Sequence, residues 1–513
     1  MKNILKHKLF ILLFILAILL RYLYIKDNVV PFMFDHGKDA LAILDMVVTL
    51  KPKFIGPWTS IPGLYFGPAW YYLLSPFFLL SGFNPASGAV AMSILVLIQM
   101  FLVYKYFNIE SATIVGFSGF WLMISKSAWN PFPMTLLTIL IMILIIKQLE
   151  LKKLNNNLIF GLAIVSSFGF HFSSAFAIFY PIIIGLILLL KKFKISIKNL
   201  FVGAIAFTIP FIPQILFEFK NNFPEFKAII NYFSKGEGDA FNIKKIVNVL
   251  SIILGEFRTM FFESLQNWSN ISNYVFIFFI IFSLIYIFKK NLFDKKLKNL
   301  VLVSIIFIII PIIGFFFLHF NVWYVYPIIP VITVLIGSLI HKLPKLFSSL
   351  FIILFVLFAA FRLNYYIQIE KPLFLHDSSF YPVKKEVIKY IREISKDKPF
   401  SVYVFQPDIY DFPYQYEFLV QGLNGAELPV EFAYEPNITT YVMEKENLMK
   451  EIDSRYGRQW KGTPKIVYYV VNGENNSELL TNWWGRQRYG EIINEKKFGD
   501  SVTVYTATPL INL

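Results

Sequence analysis

Two carboxylates stand close together in the acidic stretch, residues 34–39, which follows the first hydrophobic segment. Asp35 and Asp39 are four residues apart in Phe34-Asp35-His36-Gly37-Lys38-Asp39, with Lys38 beside them. If a helix begins near His36, the two carboxylates point roughly the same way. Near a membrane surface a carboxylate can accept a proton from an acceptor hydroxyl, and a neighbouring cation can hold a phosphate. The alternative is that Asp35 only caps a helix.

Aromatic and polar residues in later segments are further candidates for binding a substrate. An aromatic ring can stack on a ligand and an amide can hydrogen-bond to it, which suits Trp129 and Asn130. Each also has a structural interpretation, because tryptophan anchors helices at membrane interfaces and Asn-Pro can begin a helix. The remaining candidates for binding a substrate or the donor phosphate are His36, Tyr71, Arg258, His319 and Tyr324.

The composition indicates a membrane protein. Of the 513 residues, 56% are hydrophobic and 57 are phenylalanine, which a soluble protein of this length would not tolerate. The net charge of +15 could indicate a nucleic-acid partner, but the lysines form clusters between apolar runs. That placement follows the positive-inside rule, so we expect no nucleic-acid partner. The absence of cysteine excludes disulfides, thiolate catalysis and zinc–thiolate sites.

Hydrophobic runs of helical length predict about eleven membrane spans. Lysine clusters in alternate loops place the N-terminus in the cytoplasm and the C-terminal region outside. Residues 67–80 are apolar but short and bounded by proline, so we interpret them as a re-entrant or interfacial helix. Residues 26–87 and 218–271 are then long outer loops. The predicted spans are 8–25, 88–105, 111–125, 132–148, 158–171, 173–190, 199–217, 272–288, 299–318, 323–340 and 346–363.

The C-terminal part has the composition of a soluble domain. Residues 384–396 show helical periodicity, residues 401–405 and 465–471 are typical of buried strands, and residues 501–505 predict a final edge strand. We therefore divide the chain into a transmembrane domain, 1–364, and a small extracytoplasmic α/β domain, 365–513.

The order of these features resembles the GT-C superfamily of integral-membrane glycosyltransferases. The likeness rests on a first span, an outer loop with Asp-x-Gly-x-Asp-Ala, a Gly-Pro-x-x-Tyr-Tyr helix and a Trp-Asn-Pro turn. It is greatest to the bacterial branch that resembles the lipid A aminoarabinose transferase and protein O-mannosyltransferases. It covers residues 1–364 and is specific mainly at 34–72 and 125–131.

The resemblance implies a GT-C-like polytopic α-helical fold and a function. The expected reaction is inverting transfer of a hexosyl or pentosyl group from a polyprenyl-phosphate-linked donor. The acceptor would be a glycan, a lipid or a protein at the outer face of the cytoplasmic membrane. The expected partners are this donor, the acceptor and membrane lipids.

The resemblance also assigns roles to individual residues. Asp35 occupies the place of the catalytic or acceptor-orienting carboxylate. Relatives often have Asp-Glu there, whereas this chain has Asp35-His36, so the second acid is missing or is replaced by Asp39. Lys38 would lie near the donor phosphate, and Lys38 or Arg258 would stabilise the leaving group. Asn130 stands where relatives carry an acid, and a neutral amide is a poor replacement for a carboxylate ligand. A divalent metal is therefore an alternative that the sequence does not favour, and no other cofactor is expected.

Other functional classes remain open from the sequence. A transporter or flippase for a lipid-linked saccharide would place ionisable groups inside its spans, whereas the span cores here are almost free of charge. A non-catalytic scaffold would make the acidic stretch incidental. A polymerase or ligase of surface polysaccharide would carry out a similar reaction with a different donor, although its usual large late outer loop is not seen in the sequence.

Overall fold

The structure is a computed structural model. It describes residues 2–234, 243–261, 269–396, 398–406, 411–437, 442–456, 462–473, 478–488 and 490–510. The chain divides into two compact units, each described by itself below. The helical unit comprises Met1–Tyr22, Lys53–Trp70 and Ala91–Asn364, and the mixed unit comprises Leu23–Pro52, Tyr71–Val90 and Tyr365–Leu513.

Most of the described chain is helical. The helices are, in chain order, α1 (Lys2–Ile25), α2 (Phe34–Thr49), α3 (Ala69–Leu80), α4 (Ser87–Tyr106), α5 (Ile109–Phe117), α6 (Gly119–Ser125), α7 (Met134–Glu150), α8 (Asn156–Phe168), α9 (Ser174–Ala177), α10 (Phe179–Leu190), α11 (Ile197–Thr208), α12 (Ile212–Lys220), α13 (Pro224–Ser234), α14 (Ile243–Phe261), α15 (Ser269–Lys289), α16 (Lys295–Phe317), α17 (Ile329–Ile340), α18 (Lys345–Tyr365), α19 (Lys371–Phe374), α20 (Tyr381–Ser395), α21 (Phe412–Leu423), α22 (Met443–Tyr456) and α23 (Glu478–Trp484). Short 3₁₀ turns cover Gly169–His171, Ile209–Phe211 and Val322–Ile328, and a π turn covers Tyr366–Glu370.

The apolar helices confirm the predicted polytopic membrane architecture. Within the described residues, six helical segments are long and apolar enough to cross a membrane: His7–Ile25, Ser87–Tyr106, Ile197–Lys220, Lys295–Phe317, Val322–Ile340 and Lys345–Phe374. Three shorter apolar helical segments are Ala69–Leu80, Ser174–Leu190 and Ile277–Lys289. The count of eleven spans and their orientation stay predictions.

The helical unit contains a span broken in two and held by a buried cation. Helix α5 ends at Phe117 and α6 starts at Gly119, so the last carbonyls of α5 lose their helical partners. The Arg21 guanidinium, 2% exposed, donates to the carbonyls of Gly116 at 3.0 Å and Val115 at 3.3 Å, and to Ser125 Oγ at 3.0 Å. Arg21 therefore joins α1 to the broken helix and satisfies the carbonyls that the break exposes.

The first predicted outer loop contains two helices. Helix α2 begins at Phe34, close to the start that the sequence predicts. Helix α3 has 12 residues, and at 1.5 Å per residue it extends about 18 Å, which is too short to cross a bilayer. This length agrees with the interpretation of residues 67–80 as a re-entrant or interfacial helix.

The mixed unit is built around a five-stranded sheet in the order β2-β1-β3-β5-β4. Strand β1 pairs in parallel with β2 and β3, and β5 pairs antiparallel with β3 and β4. The strands are β1 (Phe400–Phe405), β2 (Phe432–Ala433), β3 (Ile466–Asn472), β4 (Ile492–Phe498) and β5 (Val502–Ala507). The predicted helix at 384–396 and the small C-terminal α/β fold are confirmed.

One prediction for this sheet was wrong. Residues 501–505 were expected to form an edge strand, but β5 lies between β3 and β4. The edge strand is β4, whose sequence Ile-Ile-Asn-Glu-Lys-Lys-Phe gives a weak strand signal. Charged residues, lysine above all, are common on edge strands because they oppose pairing with further chains. The same residues hid this strand in the sequence.

Candidate functional site

The start of α2 carries an ion pair in which the carboxylate is exposed to solvent and the ammonium is largely covered. Lys38 Nζ lies 2.9 Å from Asp35 Oδ1, three residues earlier on the same helix. The Lys38 side chain is 11% exposed and that of Asp35 is 49% exposed. Lys38 Nζ also lies 5.4 Å from the centre of the Phe34 ring. The cation is thus packed into the protein, while the carboxylate remains accessible to a second molecule.

A close approach between two helices explains the glycine in this motif. A Cβ atom on Gly37 would lie 2.5 Å from the backbone nitrogen of Pro413 and 2.8 Å from the carbonyl carbon of Phe412. The Phe34 and Phe412 rings meet edge-to-face at 5.1 Å. Because these backbone atoms cannot move like a flexible side chain, only glycine lets α2 contact the first turn of α21. The glycine thereby helps to position Asp35 and Lys38.

His36 has a structural partner in the same turn. The backbone N–H of Met33 donates to His36 Nδ1 at 3.4 Å, which caps the start of α2. Burial lowers the pKa of His36 to about 4; the Asp35 charge opposes this shift and the Lys384 charge adds to it. His36 is therefore neutral near pH 7, so it offers a hydrogen bond and no positive charge to a phosphate.

Three carboxylates lie within electrostatic range of the Tyr71 hydroxyl. Asp39 is 6% exposed and Tyr71 is 4% exposed. Burial, followed by the negative charges of Asp39, Glu444 and Asp35, raises the pKa of Tyr71 well above its ordinary value. The phenol consequently stays protonated and keeps a proton that it can donate. The structure thus brings Asp35, Asp39 and Tyr71 together within the mixed unit.

Glu444 was not identified from the sequence. It lies in the first turn of α22, which packs against α2. At the other end of the same helix pair, Arg455 Nη2 donates to the carbonyl of Val48 at 3.0 Å. Buried Leu448 and Ile452, four residues apart, are the helical signal that the sequence offered. That signal indicates a helix but does not say which helix it packs against.

In the helical unit, an aromatic cluster joins three of the predicted segments. The Trp129 and Trp323 ring centres are 5.2 Å apart. Asn130 Nδ2 donates to the carbonyl of Phe172 at 2.7 Å, and the Phe172 ring meets Trp70 edge-to-face at 6.5 Å. The first turn of α3, the Trp-Asn-Pro turn and the segment that leads into α17 therefore adjoin one another. Asn130 uses its amide nitrogen to hold this arrangement.

The remaining predicted residues lie at the edge of this cluster or beyond what the structure describes. His319 is exposed, and its Nε2 lies 3.3 Å from Asn321 Nδ2, which also donates to Tyr324 Oη at 3.4 Å. The Tyr324 ring stacks on Phe315 at 5.9 Å. Arg258 belongs to α14, but its side chain lies outside the described residues.

A largely apolar cavity of about 550 Å³ lies in the same unit. Two carboxylates line it: Glu225 Oε1 accepts the Tyr65 N–H at 2.9 Å, and Glu218 accepts the Glu225 N–H at 2.9 Å. Burial, opposed by the Tyr65 hydrogen bond, raises the pKa of Glu225 to about 7. The other lining residues are Leu64, Phe170, Ser174, Phe211, Gln214, Ile215, Phe219, Phe223, Phe226 and Ile229.

Among the residues that the structure describes, no three His, Asp or Glu side chains are grouped closely enough to hold a metal ion. That the reaction needs no divalent metal stays a prediction.

Comparisons with known proteins show the fold. No family model matches the chain, and no curated protein matches it in sequence. Among solved structures, it is similar to ArnT from Cupriavidus metallidurans bound to undecaprenyl phosphate, with a TM-score of 0.58, 10% identity and coverage of 97% of both chains. The apo state of ArnT from the same organism gives a TM-score of 0.60 at 10% identity, again over 97% of both chains. The likeness shows an ArnT-like fold, as the sequence resemblance implied.

Proposed function

We propose that the protein is a membrane glycosyltransferase that takes its sugar from a polyprenyl-phosphate-linked donor. The observation that carries the proposal is the fold similarity, which covers 97% of the chain and of an ArnT structure containing undecaprenyl phosphate. The carboxylate and ammonium of the Asp35–Lys38 pair are the two groups that such a reaction needs. The apolar cavity beside Tyr65 suits a hydrocarbon chain.

The ion pair suggests how the free and donor-bound states differ. In the free protein, Lys38 Nζ is bound by Asp35 Oδ1 at 2.9 Å. A donor phosphate would compete for the same ammonium group and release the carboxylate. Asp35 would then accept the proton of the acceptor hydroxyl, while the oxygen of that hydroxyl bonds to the anomeric carbon of the sugar. The bond from that carbon to the phosphate oxygen breaks at the same time, which inverts the configuration and leaves polyprenyl phosphate.

The proposed setting is the outer face of the cytoplasmic membrane, with the N-terminus inside. It follows from the alternation of lysine-rich loops, since positive loops remain in the cytoplasm. The acceptor belongs to one of three classes, a glycan, a lipid or a protein, and the assay below separates them.

The test is a transfer assay with the purified full-length protein in lipid. Radiolabelled polyprenyl-phosphate pentoses and hexoses are offered with each acceptor class, with and without EDTA. We expect wild-type turnover to resist EDTA and Asp35→Asn to lose at least about a hundredfold in rate, the usual contribution of a general base. Asp27→Asn is the matched control, because Asp27 makes a half-exposed ion pair with Lys371 in the same unit.

The outcomes separate the functional classes. Equal loss in Asp35→Asn and Asp27→Asn would refute the assigned role of Asp35. No turnover of any donor, with lipid binding unchanged by Asp35→Asn, would favour a transporter or a scaffold. Transfer of preformed oligosaccharides alone would favour a polymerase or ligase.

A further inference from the structure

A second cavity in the helical unit lies far from the aromatic cluster around Trp129. It has a volume of about 210 Å³ and is lined at the start of α16 and the end of α17. The aromatic cluster adjoins the opposite ends of these two helices. Helix α16 has 23 residues, so its ends are roughly 35 Å apart. The cavity is therefore at the lysine-rich face that the positive-inside rule predicts to be cytoplasmic.

Two ammonium groups and one carboxylate line this cavity. Lys342 Nζ lies 2.5 Å from Asp294 Oδ2, and Asp294 Oδ1 accepts the Leu297 N–H at 2.8 Å as the cap of α16. Both oxygens of Asp294 are thus engaged. Lys296 also lines the cavity and its charge acts on Asp294. Among the side chains that line the cavity, two lysines outnumber one carboxylate, so the lining itself carries a net positive charge.

A buried carboxylate orients a third nitrogen-bearing group at the cavity. Glu110 is 3% exposed, and its Oε2 lies 2.8 Å from Nδ1 of His341, which lines the cavity. Its other oxygen, Oε1, accepts a hydrogen bond from Ser348 Oγ at 2.5 Å. A carboxylate bound to one imidazole nitrogen fixes the plane of the ring and the role of its second nitrogen. His341 is consequently held in one orientation, with its side chain 42% exposed. Because Nδ1–H donates to Glu110, Nε2 donates to an anion when the ring carries both protons.

The rest of the lining is one apolar side, formed by Phe107, Ile146, Leu297 and Leu300, and a polar pair, Asn108 and Ser338, in which Asn108 Nδ2 donates to Ser338 Oγ at 2.9 Å. Cations beside an apolar wall fit an amphiphilic anion, and basic pockets between membrane helices bind lipid phosphates on the cytoplasmic side. We propose that this cavity binds a phosphate ester, as carried by the headgroup of an anionic membrane lipid, with Lys296, Lys342 and His341 as its ligands. The site is separate from the proposed transferase reaction and does not depend on it.

The test measures binding to the full-length protein in a neutral detergent. Three probes are titrated: short-chain phosphatidylglycerol, short-chain phosphatidylcholine and inorganic phosphate. Isothermal calorimetry gives the affinity, and thermal unfolding without a ligand shows whether each variant is folded. The variants are Lys296→Gln and His341→Gln. Lys298→Gln is the matched control, because it removes the same charge from the same helix but Lys298 does not line the cavity.

We expect phosphatidylglycerol to bind the wild type and each cavity variant to weaken it about tenfold, the effect of losing one charge-assisted contact. Lys298→Gln should bind like the wild type.

Preference for phosphatidylglycerol over inorganic phosphate identifies a lipid headgroup, and equal binding of inorganic phosphate identifies a free phosphate site. The proposal is overturned if neither anion binds the wild type, or if phosphatidylcholine binds equally. It is also overturned if Lys298→Gln loses as much affinity as Lys296→Gln. If one cavity variant unfolds at a lower temperature than the wild type, the affinity of the other cavity variant tests the proposal.

Discussion

Asp35 and Lys38 differ in exposure, and that difference defines their chemistry. The carboxylate is half-exposed and can meet a hydroxyl from solution, whereas the ammonium is packed against Phe34. A buried cation is weakly hydrated and interacts strongly with an anion that reaches it. The sequence predicted a carboxylate and a cation side by side. It did not predict that His36, between them, would be neutral and occupied in capping the helix.

At the residue scale, we predict that Lys38→Gln weakens donor binding. Loss of the charge-assisted contact should raise the KM for the polyprenyl-phosphate sugar about tenfold or more, and kcat should change less. Steady-state kinetics over a range of donor concentrations measures both constants. Lys371→Gln is the control, since its ammonium pairs with Asp27 in the same unit. An unchanged KM in Lys38→Gln would contradict the assignment of Lys38 to the donor phosphate.

At the scale of elements, two helices of the C-terminal region hold α2 in place. Helix α21 contacts its first turn at Gly37, and α22 is bonded to its last turn through Arg455 and Val48. The same packing places Glu444 near Tyr71. The C-terminal region therefore contributes directly to the environment of the acidic stretch, which explains why the two belong to one compact unit.

We predict that Gly37→Ala disturbs this helix contact. The added methyl group would lie 2.5 Å from a backbone nitrogen, so α2 and α21 must separate. The expected cost is about 1–3 kcal/mol in the free energy of unfolding, together with loss of most of the proposed transferase activity. Thermal unfolding and the transfer assay measure the two effects.

The control is Gly485→Ala in the same unit, where the nearest atom to an added Cβ is 3.6 Å away. Wild-type stability in Gly37→Ala would mean that the contact with α21 is looser than the structure indicates.

At the scale of the whole molecule, a buried acid makes stability depend on pH. Glu417 is 5% exposed, and burial raises its pKa from 4.5 to about 7, against opposing effects of Tyr381 and Lys385. An acid with a raised folded-state pKa binds its proton more tightly when folded. Its contribution to stability is therefore fully present below about pH 4.5 and is lost as the pH rises through about 7.

We predict that Glu417→Gln makes the free energy of unfolding depend less on pH. Between pH 5 and pH 8 the wild type should lose up to about 3 kcal/mol of unfolding free energy through this group, and the variant should not. Thermal unfolding of the full-length protein at several pH values measures the difference. Glu393→Gln is the control, because Glu393 is an exposed partner of Lys389. Parallel pH profiles for wild type and Glu417→Gln would show that another group controls the dependence.

The sequence by itself determined the class of protein and the position of the candidate chemistry. Runs of apolar residues and alternating lysine clusters are local patterns, so they predict membrane helices and their order without any tertiary contact. The Asp35–Lys38 pair is also local, because residues three apart share one face of a helix. The motifs at residues 34–72 and 125–131 were enough to imply the fold that the comparison with ArnT confirms.

Only the tertiary structure decided which distant residues join the site. Glu444 is hundreds of positions from Asp39, and nothing in its own helix indicates that α22 packs on α2. The reason for Gly37 lies in the backbone of Pro413, and strand β4 is recognised only by its pairing with β5. These features depend on contacts between segments far apart in the chain. The hydrophobic periodicity of one segment tells which face is buried, but it does not identify the partner that covers it.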